Sequence, residues 1–282
     1  MKNDQSRETI NFYRGFKNWY IKIIHEFNYE EKKDWEARDV LLRILKQKDR
    51  EWRSEVILRE FKDKLNEKQN ILIFGCGPSL EISINAIIKE KGKRFFNNFI
   101  NLTADGASVL LREEKLPIDG LFSDLDGITK QEFDYAKFMI LHSHGDNIEK
   151  LFKFKKAIID KRNLIATTQV EPKNGIFNPG GFTDGDRILY FIKNLIVPYQ
   201  KLYLIGMDFK DTVGKYSKPY MKQDTAATPI KKKKLEFAVK LIEELPNELK
   251  NKLHFVNSEV VSNKLKYLTL SQFLKEGDNP VN

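Results

Sequence analysis

The chain has 282 residues, 41% of them hydrophobic and 32% charged, which is enough for one large α/β domain or a domain with a helical extension. No apolar run approaches the roughly 20 residues that span a bilayer, the opening MKNDQSRETI lacks the apolar stretch of a signal peptide, and a lone cysteine, Cys76, excludes intrachain disulfides and cysteine-built metal centres. The net charge of +9 is not a nucleic-acid footprint, because Lys and Arg are interleaved with Asp and Glu along most of the chain, and the expected compartment is the reducing cytoplasm.

Residues 1–68 are expected to form an N-terminal helical segment. WEARDVLLRILKQKDREWRSEVILREFKDKL repeats apolar residues at three- and four-residue steps, the pattern of one or two amphipathic helices. Trp19, Trp35 and Trp52 all fall in this segment, and core packing is their expected role. From 69 to 282 the pattern changes to that of an α/β domain. The apolar runs ILIF (71–74), FINLTA (99–104), GLFS (120–123), FMILHS (138–143), LIATT (164–168), LYLIG (202–206) and LHFVN (253–257) alternate with segments long enough for crossover helices. Continuous apolar strands separated by helices predict a doubly wound, mostly parallel sheet with helices on both faces. Residues 210–228 show no clear period and are expected to form a functional loop or lid. The KKKK run at 231–234 opens a predicted helix and is assigned to a solvated face.

Ligands of an open parallel sheet sit beyond the carboxyl ends of its strands, near the reversal of strand order. Here the strand exits are GCGPSL (75–80), DGAS (105–108), DLDG (124–127), HGDN (144–147), TTQ (167–169) and GMDF (206–209), while NPGGFTDGDR (178–187) leads into a helix. Asp105, Asp124, Asp126, Asp146 and Asp208, together with Asp184 and Asp186, are therefore expected along one edge of the sheet. Any one of them suits a turn or a helix cap. Several packed together repel one another and demand a cation, and an all-oxygen donor set favours a hard ion such as Mg²⁺.

GCGPSL is neither a P-loop nor a complete dinucleotide fingerprint, since Leu80 stands where the third glycine would be. Gly75 and Gly77 allow close approach, Pro78 suits a helix start, and Ser79 can cap it. A tight turn and an anion-binding helix N-terminus are both compatible with that pattern. In GGFTDGDR, Thr183 can cap the next helix, with Asp184 and Asp186 in its first turn. Arg187 there can grip a phosphate or neutralise the acids. His142 and His144 suit a metal, or a hydrogen-bonding and phosphate-contact role. Cys76 has no histidine near it in sequence and is expected to be a small buried residue. No G-x-S-x-G elbow supports a Ser-His-Asp triad.

Taken together, TADGAS, PIDGLFSDLDG, HSHGDN, TTQ, NPGGFTDGDR and LIGMDF, in this order and spacing, resemble the archaeal-type 6-hydroxymethyl-7,8-dihydropterin pyrophosphokinase family over most of residues 70–245. FNYEEKKDWEARDVLLRIL resembles that family's helical lead-in. The resemblance implies transfer of pyrophosphate from ATP to a pterin hydroxymethyl group with release of AMP, in tetrahydromethanopterin or folate-type cofactor biosynthesis. It implies Mg²⁺ held by Asp105, Asp124 and Asp126, with Asp124, Asp126 and Asp146 at the chemistry. Around the nucleotide it places Gly75, Gly77, Pro78, Ser79, Asp105, His144, Asn147, Thr168, Gln169, Gly181, Thr183, Asp184, Asp186 and Arg187. Lys215 and Lys218 are candidates for closing over the triphosphate. The expected partners are ATP and a hydroxymethyl-dihydropterin, with neither nucleic acid nor membrane; a homodimer is left open. Two alternatives stand beside this reading. One is a thiamine-type pyrophosphokinase, which normally continues into a β-rich domain and is disfavoured because the chain after residue 209 offers only a loop, a helix, one strand and a short tail. The other is a glycosyltransferase-like protein binding a nucleotide sugar at GCGPSL.

Overall fold

The computed structural model describes residues 10–277, so most of the opening stretch considered above for a signal sequence lies outside the described residues. The N-terminal helices are Tyr13–Phe27 (α1), Glu31–Leu45 (α2) and Ser54–Leu65 (α3). The long amphipathic stretch is thus two helices, α2 and α3, parted by the polar run 46–50 and a short turn at Arg50–Trp52.

Strands Asn70–Phe74 (β1), Ile100–Ala104 (β2), Gly120–Ser123 (β3), Phe138–Ser143 (β4), Leu164–Thr168 (β5), Ile176–Phe177 (β6) and Lys201–Ile205 (β7) follow. Thr212–Val213 (β8) and Thr225–Ala226 (β9) form a separate antiparallel ribbon, and Leu253–Val256 (β10) and Lys266–Leu268 (β11) complete the set. The main sheet has the order β11-β10-β7-β1-β2-β3-β4-β5-β6, with every pairing parallel. Each apolar run named above is a strand. Nothing described after residue 209 forms a separate β-rich domain, because β10 and β11 extend the same sheet.

The connecting helices are Ser79–Lys91 (α4), Ala107–Glu113 (α5), Lys130–Tyr135 (α6), Ile148–Lys153 (α7), Lys155–Asp160 (α8), Asp184–Ile192 (α9), Pro229–Glu243 (α10), Asn247–Lys250 (α11) and Leu270–Gly277 (α12). Strand alternation divides them between two cores. Ile71 and Ile73 of β1 pack in one core with α1, α3, α9 and α10, while Leu72 and Phe74 pack in the other with α2, α4, α5 and α12. The first core includes an edge-to-face aromatic cluster in which Phe61 of α3 meets Phe122, Phe138 and Phe191, with ring centroids 5.2–6.3 Å apart. The N-terminal helices therefore belong to the cores on both faces of the sheet.

Strands β1 to β6 step outward in one direction, whereas β7 returns to the other side of β1. The order reverses between β1 and β7, and a cleft lies beyond their carboxyl ends.

Candidate active site

Three acids from three separate elements meet in this cleft. Asp105 follows β2, Asp124 follows β3 and Asp184 opens α9, and each offers a carboxylate oxygen within 4.8 Å of the others. Two strained backbone positions shape the group: Asp105 has φ +43° and Leu125 has φ +72°. Leu125 is buried and anchors its turn in the core. Ser123 ties the two exits together, donating from Oγ to Asp105 Oδ1 (2.5 Å) and accepting from the Leu125 N–H (2.8 Å).

The charges within the group are unequal. Burial, then the neighbouring Asp124, pushes Asp105 up to about 6. Burial, with Asp124 and Asp105 adding to it, raises Asp184 well above the usual carboxylate range. Burial also acts to raise Asp124, but the hydrogen bond from His144, with the charges of Arg187 and Lys218, outweighs it and holds that carboxyl well below its ordinary value. One firm anion flanked by two reluctant ones, all donating oxygen, fits a hard divalent cation.

Asp126, an expected ligand of the cation, lies outside this group. It lines the same cleft, but its carboxylate pairs with Lys150 of α7 and with Lys218. Asp186 is buried as the acid of a capping box. It accepts from the N–H groups of Phe182 (2.5 Å) and Thr183 (2.9 Å) and from Thr183 Oγ1 (2.7 Å), so the cap role expected of Thr183 is shared with it. Gly181, at φ +88°, allows this turn, since an added Cβ would stand 2.8 Å from Arg187 Cα. Asp146 is exposed at the mouth of the site, and its N–H donates to His144 Nδ1 (3.3 Å). Asn147 clamps two exits by donating to the carbonyls of Asp124 (2.9 Å) and His142 (2.7 Å). Thr168 is buried at the end of β5 and lines neither chamber described below.

A second tier of contacts reaches the N-terminal helices. Arg187 bonds Asp184 (3.4 Å) and Gln169 Oε1 (3.2 Å). Gln169 Nε2 in turn donates to Asp34 of α2 (2.7 Å). Asp34 is buried and also accepts from the Gly145 N–H (2.7 Å) and Tyr20 Oη (2.8 Å). No motif singled out Asp34, because its role depends on where α2 docks.

Two chambers meet at Asp124, Arg187, Phe182 and Lys234. The larger, about 440 Å³, runs over Gly75–Gly77, Gly206–Asp208 and the 212–228 segment. The smaller, about 130 Å³, is bounded by Tyr29, Asp34, His144, Asp146 and Gln169. In the larger chamber the glycine loop forms the tight turn, one of the two arrangements its pattern allows. The N–H groups of Gly75 and Gly77 donate to Ile205 O (2.9 Å) and Gly206 O (2.7 Å), and the Ser79 N–H donates to Asp208 Oδ2 (2.8 Å). Asp208, rather than the Ser79 side chain, covers the α4 start behind Pro78, and those three donors are directed into the protein. Glycine is needed at 77 for packing, as an added Cβ would lie 2.7 Å from Gly206 O. Cys76 Sγ contacts Ala104 O (3.2 Å) and the Ala107 N–H (3.1 Å), and burial pushes its thiol up to about 12, far from a nucleophile. Lys215 pairs with Glu81 of α4 (2.8 Å), leaving Lys218 as the lysine of that segment that reaches the acids.

Fold and cleft together define a class: a doubly wound α/β protein whose switch-point cleft joins oxygen donors suited to a hard cation with side chains suited to phosphate. The profile of the family described as 6-hydroxymethylpterin diphosphokinase MptE-like matches residues 45–214. A Pyrococcus furiosus protein named 6-hydroxymethyl-7,8-dihydropterin pyrophosphokinase is 32% identical over 240 residues, covering 84% of this chain and 96% of that protein. Proteins of the same name from Methanocaldococcus jannaschii and Methanothermobacter thermautotrophicus are 36% and 31% identical, over 84% and 80% of this chain and 96% and 91% of their own lengths. The chain belongs to the MptE-like 6-hydroxymethylpterin diphosphokinase family.

Proposed function

We propose that this protein transfers the β,γ-pyrophosphoryl group of ATP to the hydroxymethyl oxygen of 6-hydroxymethyl-7,8-dihydropterin and releases AMP. The observation that carries the reading is the position of the Asp105–Asp124–Asp184 group where the two chambers meet. A donor and an acceptor bound one to each chamber would face each other across it.

The larger chamber suits the nucleotide, with Met207, Phe209 and Tyr220 offering apolar surface to a base and Lys218 reaching the acids. The smaller suits the pterin, with Tyr29 and Phe182 for its ring face and Gln169 and Asp146 for its polar edge. In the transfer a bond forms from the hydroxymethyl oxygen to the β-phosphorus as the bridge to the α-phosphorus breaks, and the hydroxyl gives up its proton. Such chemistry is chiefly a matter of alignment and charge neutralisation. Asp105, Asp124 and Asp184 would hold Mg²⁺, which when bound supplies positive charge against the phosphate oxygens. His144 orients Asp124 from one side, while Gln169 and Asp184 orient Arg187 from the other. The thiamine-type and nucleotide-sugar readings gain no observation of their own.

Incubation with ATP, Mg²⁺ and hydroxymethyl-dihydropterin, followed by chromatography of the nucleotides, tests the proposal. AMP matched by pterin pyrophosphate is the expected result, abolished by EDTA. ADP as the product would replace it with an ordinary kinase.

A further inference from the structure

The lysine run 231–234, assigned from sequence to a solvated face, divides in two in the fold. Lys232 and Lys233 are exposed and each has an acidic partner, Asp211 (2.7 Å) and Glu26 respectively. Lys231 and Lys234 lie one helical turn apart and face inward. Both line the larger chamber, and Lys234 reaches the smaller one too.

The other cations of the cleft each have an acidic partner: Lys150 and Lys218 share Asp126, Lys215 has Glu81 and Arg187 has Asp184. Among the described residues, Lys231 and Lys234 make no ion pair with a carboxylate. Lys231 is half-buried, and that burial lowers its pKa. Lys234 stands over the rings of Tyr29 and Phe182, 5.4 and 5.9 Å from their centroids. Both belong to the first two turns of α10, whose N-terminal dipole disfavours a cation, most of all at Lys231 in the first turn. Partly desolvated cations without counter-charges at that end of a helix oppose folding. An anion lying against them reverses each of these penalties.

We propose that Lys231 and Lys234 are the grips for the polyphosphate chain of a nucleotide, with Lys231 on the phosphate nearest the glycine loop and Lys234 on the one nearest the smaller chamber. The inference rests on the pyrophosphokinase reading for the nucleotide, while the grips stand on the geometry of α10. Two side chains about 5–6 Å apart at Cβ span neighbouring phosphates, and their charge offsets what the three acids repel.

Titration calorimetry with Mg-ATP and with inorganic tripolyphosphate, on the full chain, decides the matter. K231M and K234M should each weaken both ligands by roughly tenfold or more, and the double variant by more than either. K232M/K233M should bind within about twofold of the parent. Without ligand, K231M should melt at or above the parent temperature, whereas a lysine kept for structure would lower it. Unchanged affinity in K231M and K234M, equal losses from all four lysines, or no binding of either ligand by the parent would overturn the proposal. Lysine-dependent ATP binding without AMP release would keep the grips and defeat the pyrophosphokinase reading.

Discussion

His144 Nε2 lies 3.1 Å from Asp124 Oδ2, while its Nδ1 accepts the backbone N–H of Asp146. The second contact fixes the first: with Nδ1 engaged as an acceptor, the neutral ring carries its proton on Nε2 and donates it to the carboxylate. Asp124 is thereby held ionised and aimed at its two partners. His144→Ala should lower kcat by roughly 10²-fold with a smaller change in KM for ATP. His144→Gln, which can keep an N–H donor near Nε2, should recover part of that loss. A histidine that contacts the pterin instead would show its loss in the pterin KM, which steady-state kinetics on both variants would reveal.

The carboxylates should not be equal under substitution. Asp124→Asn and Asp184→Asn remove members of the oxygen group and should cut turnover by about 10³-fold or more, with a raised Mg²⁺ requirement. Asp126→Asn instead frees Lys150 and Lys218. Its loss should be nearer tenfold, with the Mg²⁺ dependence unchanged. Mg²⁺ titrations of activity check the ranking. If Asp126→Asn shifted the Mg²⁺ midpoint as far as Asp184→Asn did, the assignment of the triad would fail.

This ranking also marks what the sequence made legible. The strands were readable because parallel strands buried on both faces are continuous apolar runs. Missing from that reading were β6, only Ile176–Phe177, and β11, the half-exposed KYL at the sheet's edge. Near DLDG the sequence located the acids but not their directions. Both Asp124 and Asp126 line the cleft, yet Asp124 joins the acid group while Asp126 is taken by two lysines that come from distant parts of the chain. Asp184 was readable as a candidate, yet its place beside Asp105 depends on how α9 packs back over the sheet. Likewise four consecutive lysines look alike in sequence, and only the docking of α10 separates the two that face the cleft from the two that face solvent.

The acids also predict a pH response in the metal-free protein. Asp105, raised to about 6, and Asp184, raised well above its usual range, hold protons in the folded state that the unfolded chain has released above about pH 4. The folded protein binds more protons in that window, so stability contributed by these groups falls as pH rises from about 4 to 7. The lowered Asp124 has the opposite sign but acts only below about pH 4, where the unfolded chain protonates first. The expected loss is on the order of 1–3 kcal/mol, recovered by Mg²⁺, which binds the ionised forms. Thermal melts with and without Mg²⁺ should diverge as pH rises, and Asp184→Asn should narrow the divergence. Parallel curves would rule out the raised acids as the cation's ligands.

Asp34 carries the last expectation, because it gives the N-terminal helices a part in the site. Its carboxylate accepts from Tyr20, Gly145 and Gln169, so α1 and α2 are bonded to the loop bearing His144 and to the side chain bracing Arg187. Asp34→Ala would leave one buried and two half-buried donors without that partner, at roughly 2–4 kcal/mol. Asp34→Asn is the sharper variant. It keeps the shape and one accepting oxygen, but turns an amide toward groups that are themselves donors, moving the Gly145 loop or Gln169. Turnover should fall by about tenfold or more while the denaturation midpoint moves little. Tyr20→Phe removes a donor on the side away from the cleft and should cost stability, about 1 kcal/mol, with near-normal turnover. If both variants lost stability and turnover in proportion, Asp34 would be a fastening of the fold and the helices would have no separate hold on the site.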